Sequence, residues 1–302
     1  MSDEDLSSLF FWGILGLLAG ARLFSTLIYH GDATYWLNPW LIFWPFQDGR
    51  FQGLQGMSYH GGALFGLIAV IIFAKVKKYS FREIGDMFAV AIPLGYTFGR
   101  LGNFINQELY GRVTTSPIGV LFTDKPVPND LMLSTNLKWV QEVAEKTGIA
   151  ITGPHVNLPR HPSQLYEAFF EGIVLWGILW FFRNRKPFKG FMVGMYFLGY
   201  GFFRFFIEYF RAPDAHLGYI IELGKTTLRS EYAYSHPLLS FSTGQLLCVL
   251  MMIFGIVWLI VASRMPDREV IRVYDKEARK QAEKKESAKD KNKRRQKRKK
   301  LK

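Results

Sequence analysis

Six stretches of this sequence, residues 9–28, 61–74, 87–98, 165–182, 190–207 and 244–262, are almost wholly apolar. Several approach the ~20 residues that cross a bilayer. Inside hydrocarbon no water is available to bond backbone N–H and C=O groups, so stretches of this kind fold as helices. The expectation is an all-α polytopic membrane protein with six transmembrane helices. Composition agrees, since 49% hydrophobic, 16% aromatic and 21% charged residues exceed what an ordinary soluble core needs.

The second and third blocks are short and carry Gly61, Gly62, Asp86 and Pro93, so periodicity alone also admits buried or re-entrant helices there. The first block lacks a charged leader and a small-residue cleavage site. It reads as a retained helix, with the chain starting near Met1. Cys248, the single cysteine, lies deep in the last block, which excludes an internal disulfide and a cysteine-based metal cluster.

Orientation follows from the short loops. Lys75, Lys77, Lys78 and Arg82 separate blocks two and three, while Arg183, Arg185, Lys186 and Lys189 separate four and five, so both loops read as cytoplasmic. Residues 264–302 hold 18 Lys and Arg against 7 Asp and Glu, which is +11 of the chain's +13. That tail reads as a disordered, cytoplasmic topology anchor touching anionic headgroups, and nucleic acid is not an expected partner. Both termini then lie inside, and residues 30–60, 99–164 and 208–242 face outward. The expected layout is a membrane-embedded domain over 1–263, with an outer head segment at 112–159, and a basic tail over 264–302.

The unusual residues fall on the outer side. Trp36, Trp40 and Trp44 recur every four positions around Asn38-Pro39, as in an aromatic helix resting at the interface. The run Gly99-Arg100-Leu101-Gly102-Asn103-Phe104-Ile105-Asn106-Gln107-Glu108-Leu109-Tyr110-Gly111 is too polar to face lipid. On a continuing helix Arg100, Asn103 and Gln107 would share one face. Arg204, Glu208 and Arg211 follow at i, i+4 and i+7 among Phe203, Phe205, Phe206 and Phe210. Guanidinium keeps its charge and offers forked donors that match phosphate oxygens, so two arginine clusters on one side suit an anionic lipid headgroup. Glu208 is expected to hold one guanidinium in place.

His60 opens the second block in Ser58-Tyr59-His60-Gly61-Gly62, where an imidazole with a pKa of ~6.5 can accept a proton near neutrality. Arg160-His161-Pro162-Ser163-Gln164-Leu165-Tyr166-Glu167 reads as a turn and a helix start, placing Gln164, Glu167 and Glu171 on one face. Arg22 is a further intramembrane charge, snorkelling outward or pairing with Glu167 or Glu171. Zinc-type spacings, a P-loop and a Gly-x-Ser-x-Gly elbow do not occur, so metal hydrolysis, nucleotide use and lipase-like acyl chemistry lose support.

Taken together and in order, Gly20-Ala21-Arg22, His60-Gly61-Gly62, the Gly99 to Gly111 run, Arg160 to Glu167 and Arg204 to Arg211 resemble the bacterial prolipoprotein diacylglyceryl transferase family, from residue 4 to about 262. The resemblance implies transfer of the diacylglyceryl group of phosphatidylglycerol to the lipobox cysteine thiol in the signal peptide of a prolipoprotein. A thioether forms and glycerol 1-phosphate leaves, the first step of lipoprotein maturation, at the outer face of the bacterial plasma (inner) membrane. The partners implied are phosphatidylglycerol, the prolipoprotein and membrane lipids, with no cofactor and no metal.

It further implies His60 as base or base-orienting group, Arg100 and Arg204 as phosphate clamps, and Asn103, Glu108 and Glu208 as positioning groups. Gly61, Gly111, Gln164, Tyr166, Glu167 and Arg211 complete the substrate surround, and Arg22 is a structural or site charge. Family members usually carry a further apolar helix before the stretch beginning at Glu4, which supplies a tyrosine to the lipid pocket; here that helix is expected to be missing. Two other classes would keep the same ionic clusters, an anionic-lipid transporter and a non-catalytic paralogue, but the internal repeat expected of a transporter is not seen.

Overall fold

The computed structural model describes residues 1–29, 33–47, 49–51, 53, 56–123, 131–212, 219–222, 233–234 and 240–265, and the tail assigned to 264–302 lies outside them from residue 266 onward. The described chain is mostly helical and divides into two compact units, one over Met1–Ile84 and one over Gly85–Asp267.

In the first unit α1 covers Asp3–Phe24 and runs on through a π turn at Ser25–Tyr29. It starts six residues before the apolar block because Ser2 caps it, the side chain taking the Asp5 amide, and Asp3, Glu4 and Asp5 occupy the first turn where the helix dipole favours carboxylates. Helix α3, Tyr59–Val76, begins under a similar cap from Ser58 to the Gly61 amide. Between them lie α2 (Ala33–Leu37), a 3-10 turn at Pro39–Phe43 and a hairpin pairing β1 (Phe46–Gln47) with β2 (Arg50–Phe51). The tryptophan stretch is therefore not one interfacial helix. Asn38 (φ −128°, ψ 71°), outside the helical region just before Pro39, breaks it, although Trp36, Trp40 and Trp44 are all exposed.

Helices α1 and α3 pack through small residues. A Cβ on Gly20 would lie 2.6 Å from the Gly61 carbonyl oxygen, and one on Gly61 would collide with Phe24 and the Gly20 carbonyl. Between helices in lipid, where apolar burial supplies no net drive, close backbone approach of this kind supplies the attraction.

Helix α4 spans Phe81–Ile105, most of it in the second unit, so the twelve-residue block 87–98 is the middle of a 25-residue helix. Asp86 near its start accepts the amides of Gly190 and Met192, each at 2.9 Å, and of Val193 at 3.3 Å, with Lys186 Nζ at 3.2 Å. A buried carboxylate thus anchors the N-terminus of α8 (Phe191–Ile207). Helix α6 (Ser163–Glu167) passes through a π-helical stretch, Ala168–Val174, into α7 (Leu175–Phe182). Helix α9 (Thr243–Arg264) starts with a capping box between Ser242 and Gln245 and packs along α8, where the Trp258 indole donates to the Gly190 carbonyl at 2.8 Å.

The head contains α5 (Lys138–Thr147) and an antiparallel pair of β3 (Met132–Ser134) with β4 (His155–Asn157). Val113, Val140, Val143, Ala144, Val156 and Leu158 form its own apolar cluster, and Trp139 stacks on Tyr234. Strands β5 (Tyr219–Glu222) and β6 (Ser240–Ser242) pair just before α9.

Among the described residues four helical stretches are long and apolar enough to cross a membrane: Asp3–Tyr29, Tyr59–Val76, Ser163–Phe182 and Thr243–Arg264. The expected block at 190–207 is a shorter apolar helix, and α4 carries Arg82, Glu83, Asp86 and Arg100 and falls outside that set. Exposed leucine, isoleucine and phenylalanine side chains cover α1 and α9, whose outer faces suit lipid and not water. The chain is that of a polytopic membrane protein.

Candidate active site

Arg100 lies near the C-terminal end of α4, Glu167 closes α6 and Arg204 lies in the last turn of α8. They meet at the Glu167 carboxylate, which is fully buried. Its Oε2 accepts from Arg100 Nε at 2.9 Å and Arg204 Nη1 at 2.8 Å, and its Oε1 faces Arg211 Nη1 at 3.4 Å. Three guanidinium groups, one from α4 and two from the end of α8 and its following turn, thus offset the large cost of burying one carboxylate.

Glu208 caps the end of α8 with Oε2 3.5 Å from Arg204 Nη2 and 3.7 Å from Arg211 Nε. Its Oε1 accepts from Ser242 Oγ at 3.3 Å and lies 2.7 Å from where a Cβ on Gly244 would stand. The carboxylate therefore sits against the N-terminal end of α9, which a side chain at position 244 would push away. Glu208 does touch the arginines, as the spacing suggested, but Glu167 makes the shorter contacts.

The polar run after α4 is not a continuing helix. The helix ends at Ile105, and Gln107 (φ 53°) and Leu109 (φ 56°) adopt left-handed backbone, so Gln107 leaves the face of Arg100 and Asn103. The turn serves its neighbours instead. Asn103 accepts from Arg100 Nη1 at 3.3 Å and donates to Glu108 Oε1 at 2.7 Å, while Gln164 Nε2 donates to the Glu108 carbonyl, also at 2.7 Å.

A backbone seam then joins three distant segments. The Gly111 amide donates to the His161 carbonyl at 2.9 Å, His161 returns a bond to Arg112 at 2.8 Å, and Arg112 donates to the Phe210 carbonyl at 2.8 Å. A Cβ on Gly111 would lie 2.5 Å from both the His161 and Phe210 carbonyl oxygens, so the residue is glycine for space. His161 Nδ1 is 3.1 Å from the Tyr166 hydroxyl, and both rings pack edge-on to Phe210. Burial holds the His161 imidazole below its ordinary range and lowers the pKa of Arg112.

Two tyrosines join the cluster that sequence reasoning passed over. The Tyr96 phenol oxygen lies 2.9 Å from Glu167 Oε2 and 2.6 Å from Glu171 Oε2, its ring lies under the Arg100 guanidinium, and Tyr200 stands edge-on to it. The signal was available: Tyr96 precedes Arg100, and Tyr200 precedes Arg204, by four residues, one helical turn.

In the first unit Arg22 is buried and donates to the carbonyls of Ile42 and Gly56, which ties α1 to the loop after α2. His60 is exposed at the start of α3, with Nδ1 2.7 Å from the hydroxyl of Tyr29, a contact that spacing did not reveal. Gly61 faces α1 at the close approach described above.

Known proteins resemble the chain closely. A model of the prolipoprotein diacylglyceryl transferase family matches residues 1–261. A phosphatidylglycerol–prolipoprotein diacylglyceryl transferase of Treponema denticola is 53% identical over 268 residues, covering 86% of this chain and 78% of the relative. The enzyme of the same name from Treponema pallidum is 48% identical over 90% of this chain and 82% of its own length, and that of Chlorobaculum tepidum 41% identical over 81% and 70%. By that match along nearly the whole described chain, it belongs to the prolipoprotein diacylglyceryl transferase family.

Proposed function

We propose that this chain transfers the diacylglyceryl group of phosphatidylglycerol to the lipobox cysteine in the signal peptide of a prolipoprotein. The supporting observation is the convergence of Arg100, Arg204 and Arg211 on Glu167, in a family whose named members carry that activity.

In this reading the thiol, of ordinary pKa ~8.5, gives its proton to a base, and its sulfur bonds to the diacylglyceryl carbon. The bond from that carbon to the phosphate oxygen breaks, and glycerol 1-phosphate leaves with added negative charge. Arg100 spends Nε and Nη1 on Glu167 and Asn103 and Arg204 spends Nη1 and Nη2 on carboxylates, yet a guanidinium has five donors. Their remaining N–H groups are suited to phosphate oxygens, where fixed donors stabilise charge as it develops.

His60 acts as base or orients one, with Tyr29 fixing its ring. Asn103, Glu108 and Glu208 position the arginines, and Gly61, Gly111, Gln164, Tyr166, Glu167 and Arg211 complete the surround, with Arg22 as a structural charge.

The same reading makes α4 and α8 membrane helices beside the four longer stretches, giving six spans over residues 1–263. The basic loops and the tail over 264–302 face the cytoplasm, and the head over 112–159 and the reaction face outward from the bacterial inner membrane.

Purified protein given phosphatidylglycerol and a lipobox peptide is expected to raise the peptide by one diacylglyceryl mass, with Arg100→Ala and Arg204→Ala abolishing the product. Wild-type protein that leaves the peptide unchanged overturns the reading.

A further inference from the structure

The phenol of Tyr96 has one hydrogen and two carboxyl neighbours, Glu167 Oε2 at 2.9 Å and Glu171 Oε2 at 2.6 Å. If both were carboxylates, one of these buried contacts would set oxygen lone pair against lone pair. A second hydrogen removes the conflict, and the surroundings decide where it resides.

Glu167 takes Arg100, Arg204 and Arg211, three guanidinium groups on one carboxyl, so both of its oxygens already have positive neighbours. Glu171 is also fully buried, but its nearest guanidinium atom is Arg204 Nη1 at 3.6 Å, and its Oε1 has no hydrogen-bond partner. An ionised carboxylate with a bare, buried oxygen is costly, whereas a carboxylic acid tolerates a bare carbonyl far better. We propose that Glu171 holds a proton, donates it to the Tyr96 oxygen, and leaves the Tyr96 hydrogen to Glu167.

The charge balance gives this proton a use. Arg100, Arg204 and Arg211 face Glu167, Glu171 and Glu208, so with all six ionised their charges cancel and only the individual guanidinium N–H groups draw an anion. Protonated Glu171 leaves it with one positive charge, the complement of a single phosphodiester. Tyr96 and Arg100 face Glu171 from α4, Glu167 from α6, Tyr200 and Arg204 from α8, and Cys248 from α9; Glu108 lies beyond Asn103 at the exposed edge, where water screens it. Tyr96 and Glu171 are thus positioning residues that set the sign of the lipid site, an inference resting on the reading that phosphatidylglycerol binds there.

Infrared spectroscopy of the full chain in phosphatidylcholine nanodiscs, with carbon-13 glutamate, tests the proton directly. Wild type near neutral pH is expected to show a carboxylic-acid C=O band that shifts with the label, persists in Glu208→Gln, moves in Tyr96→Phe and vanishes in Glu171→Gln. A wild-type spectrum with carboxylate bands alone, or an acid band that survives Glu171→Gln, overturns the proposal, and the wild-type spectrum needs no variant to fold.

Native mass spectrometry of phosphatidylglycerol retained against phosphatidylcholine tests the charge. Raising the pH until the band is lost is expected to cut phosphatidylglycerol retention about tenfold, with Glu171→Gln still retaining it at that pH. Retention that ignores loss of the band overturns the charge match while leaving the transferase reading intact. Wild type without preference for phosphatidylglycerol at any pH, its band present, instead overturns the transferase reading and leaves the proton in place.

Discussion

Glu167 is the residue on which the site turns, because three guanidinium groups depend on one buried carboxylate. Replacing it with glutamine removes the charge that all three share and leaves Arg100 without a carboxylate and Arg204 and Arg211 on Glu208, which is expected to cost about 3–5 kcal/mol, read as a large fall in melting temperature of the detergent-solubilised protein. Arg204→Lys tests geometry against charge. A point ammonium cannot face Glu167, Glu171 and Glu208 together, so transfer to a lipobox peptide is expected to drop on the order of a hundredfold while the protein stays folded. At His161 the sign of the pH effect is fixed by burial. The folded state resists the proton, the unfolded chain takes it first, and the stability His161 supports is present above pH 6.5 and lost as pH falls through the folded-state value. Melting temperature should therefore decline as pH falls below about 6.5, less steeply in His161→Gln.

At the scale of elements, contacts far from the reacting groups decide where those groups stand. Asp86 fastens the first turn of α8, and Asp86→Asn keeps the shape while losing the charge that Lys186 and the helix amides share. The expected cost is about 1–2 kcal/mol, visible as earlier thermal unfolding and partial loss of transfer as Arg204 at the other end of α8 shifts. The elements were legible in the sequence to different degrees. Long apolar runs announced α1, α3, α7 and α9 because hydrocarbon leaves the backbone no other choice. The Arg204-Glu208-Arg211 spacing announced its ion pairs because one turn of helix fixes neighbours four residues apart. By contrast, the left-handed Gln107 gave no signal, since the turn is imposed by bonds from Gln164 and Asn103. The seam through Gly111, His161 and Phe210 was equally hidden, because its partners lie about fifty residues apart on each side.

For the whole molecule, the proposed topology makes a prediction that does not depend on catalysis. Single cysteines introduced in a Cys248→Ser background at Arg185 and Ile151 are expected to label from opposite sides of the membrane, Arg185 from the cytoplasm and Ile151 from outside; labelling from one side would break the topology. The buried ionic cluster also bears on how such a chain comes into being. Arg100 belongs to α4, Glu167 and Glu171 to the α6–α7 stretch, and Arg204 to α8. The insertion cost of an ionised residue is largest at the centre of a membrane helix and smaller at the ends, where Arg100 and Arg204 stand, but the fully buried Glu167 and Glu171 have no compensation within their own helix. Together their charges cancel or nearly so, and the energetic unit of insertion becomes the trio. Until α8 is in place, α6–α7 has two acidic groups and Arg100 as their basic companion, so the last of these ion pairs close only when the later helix joins.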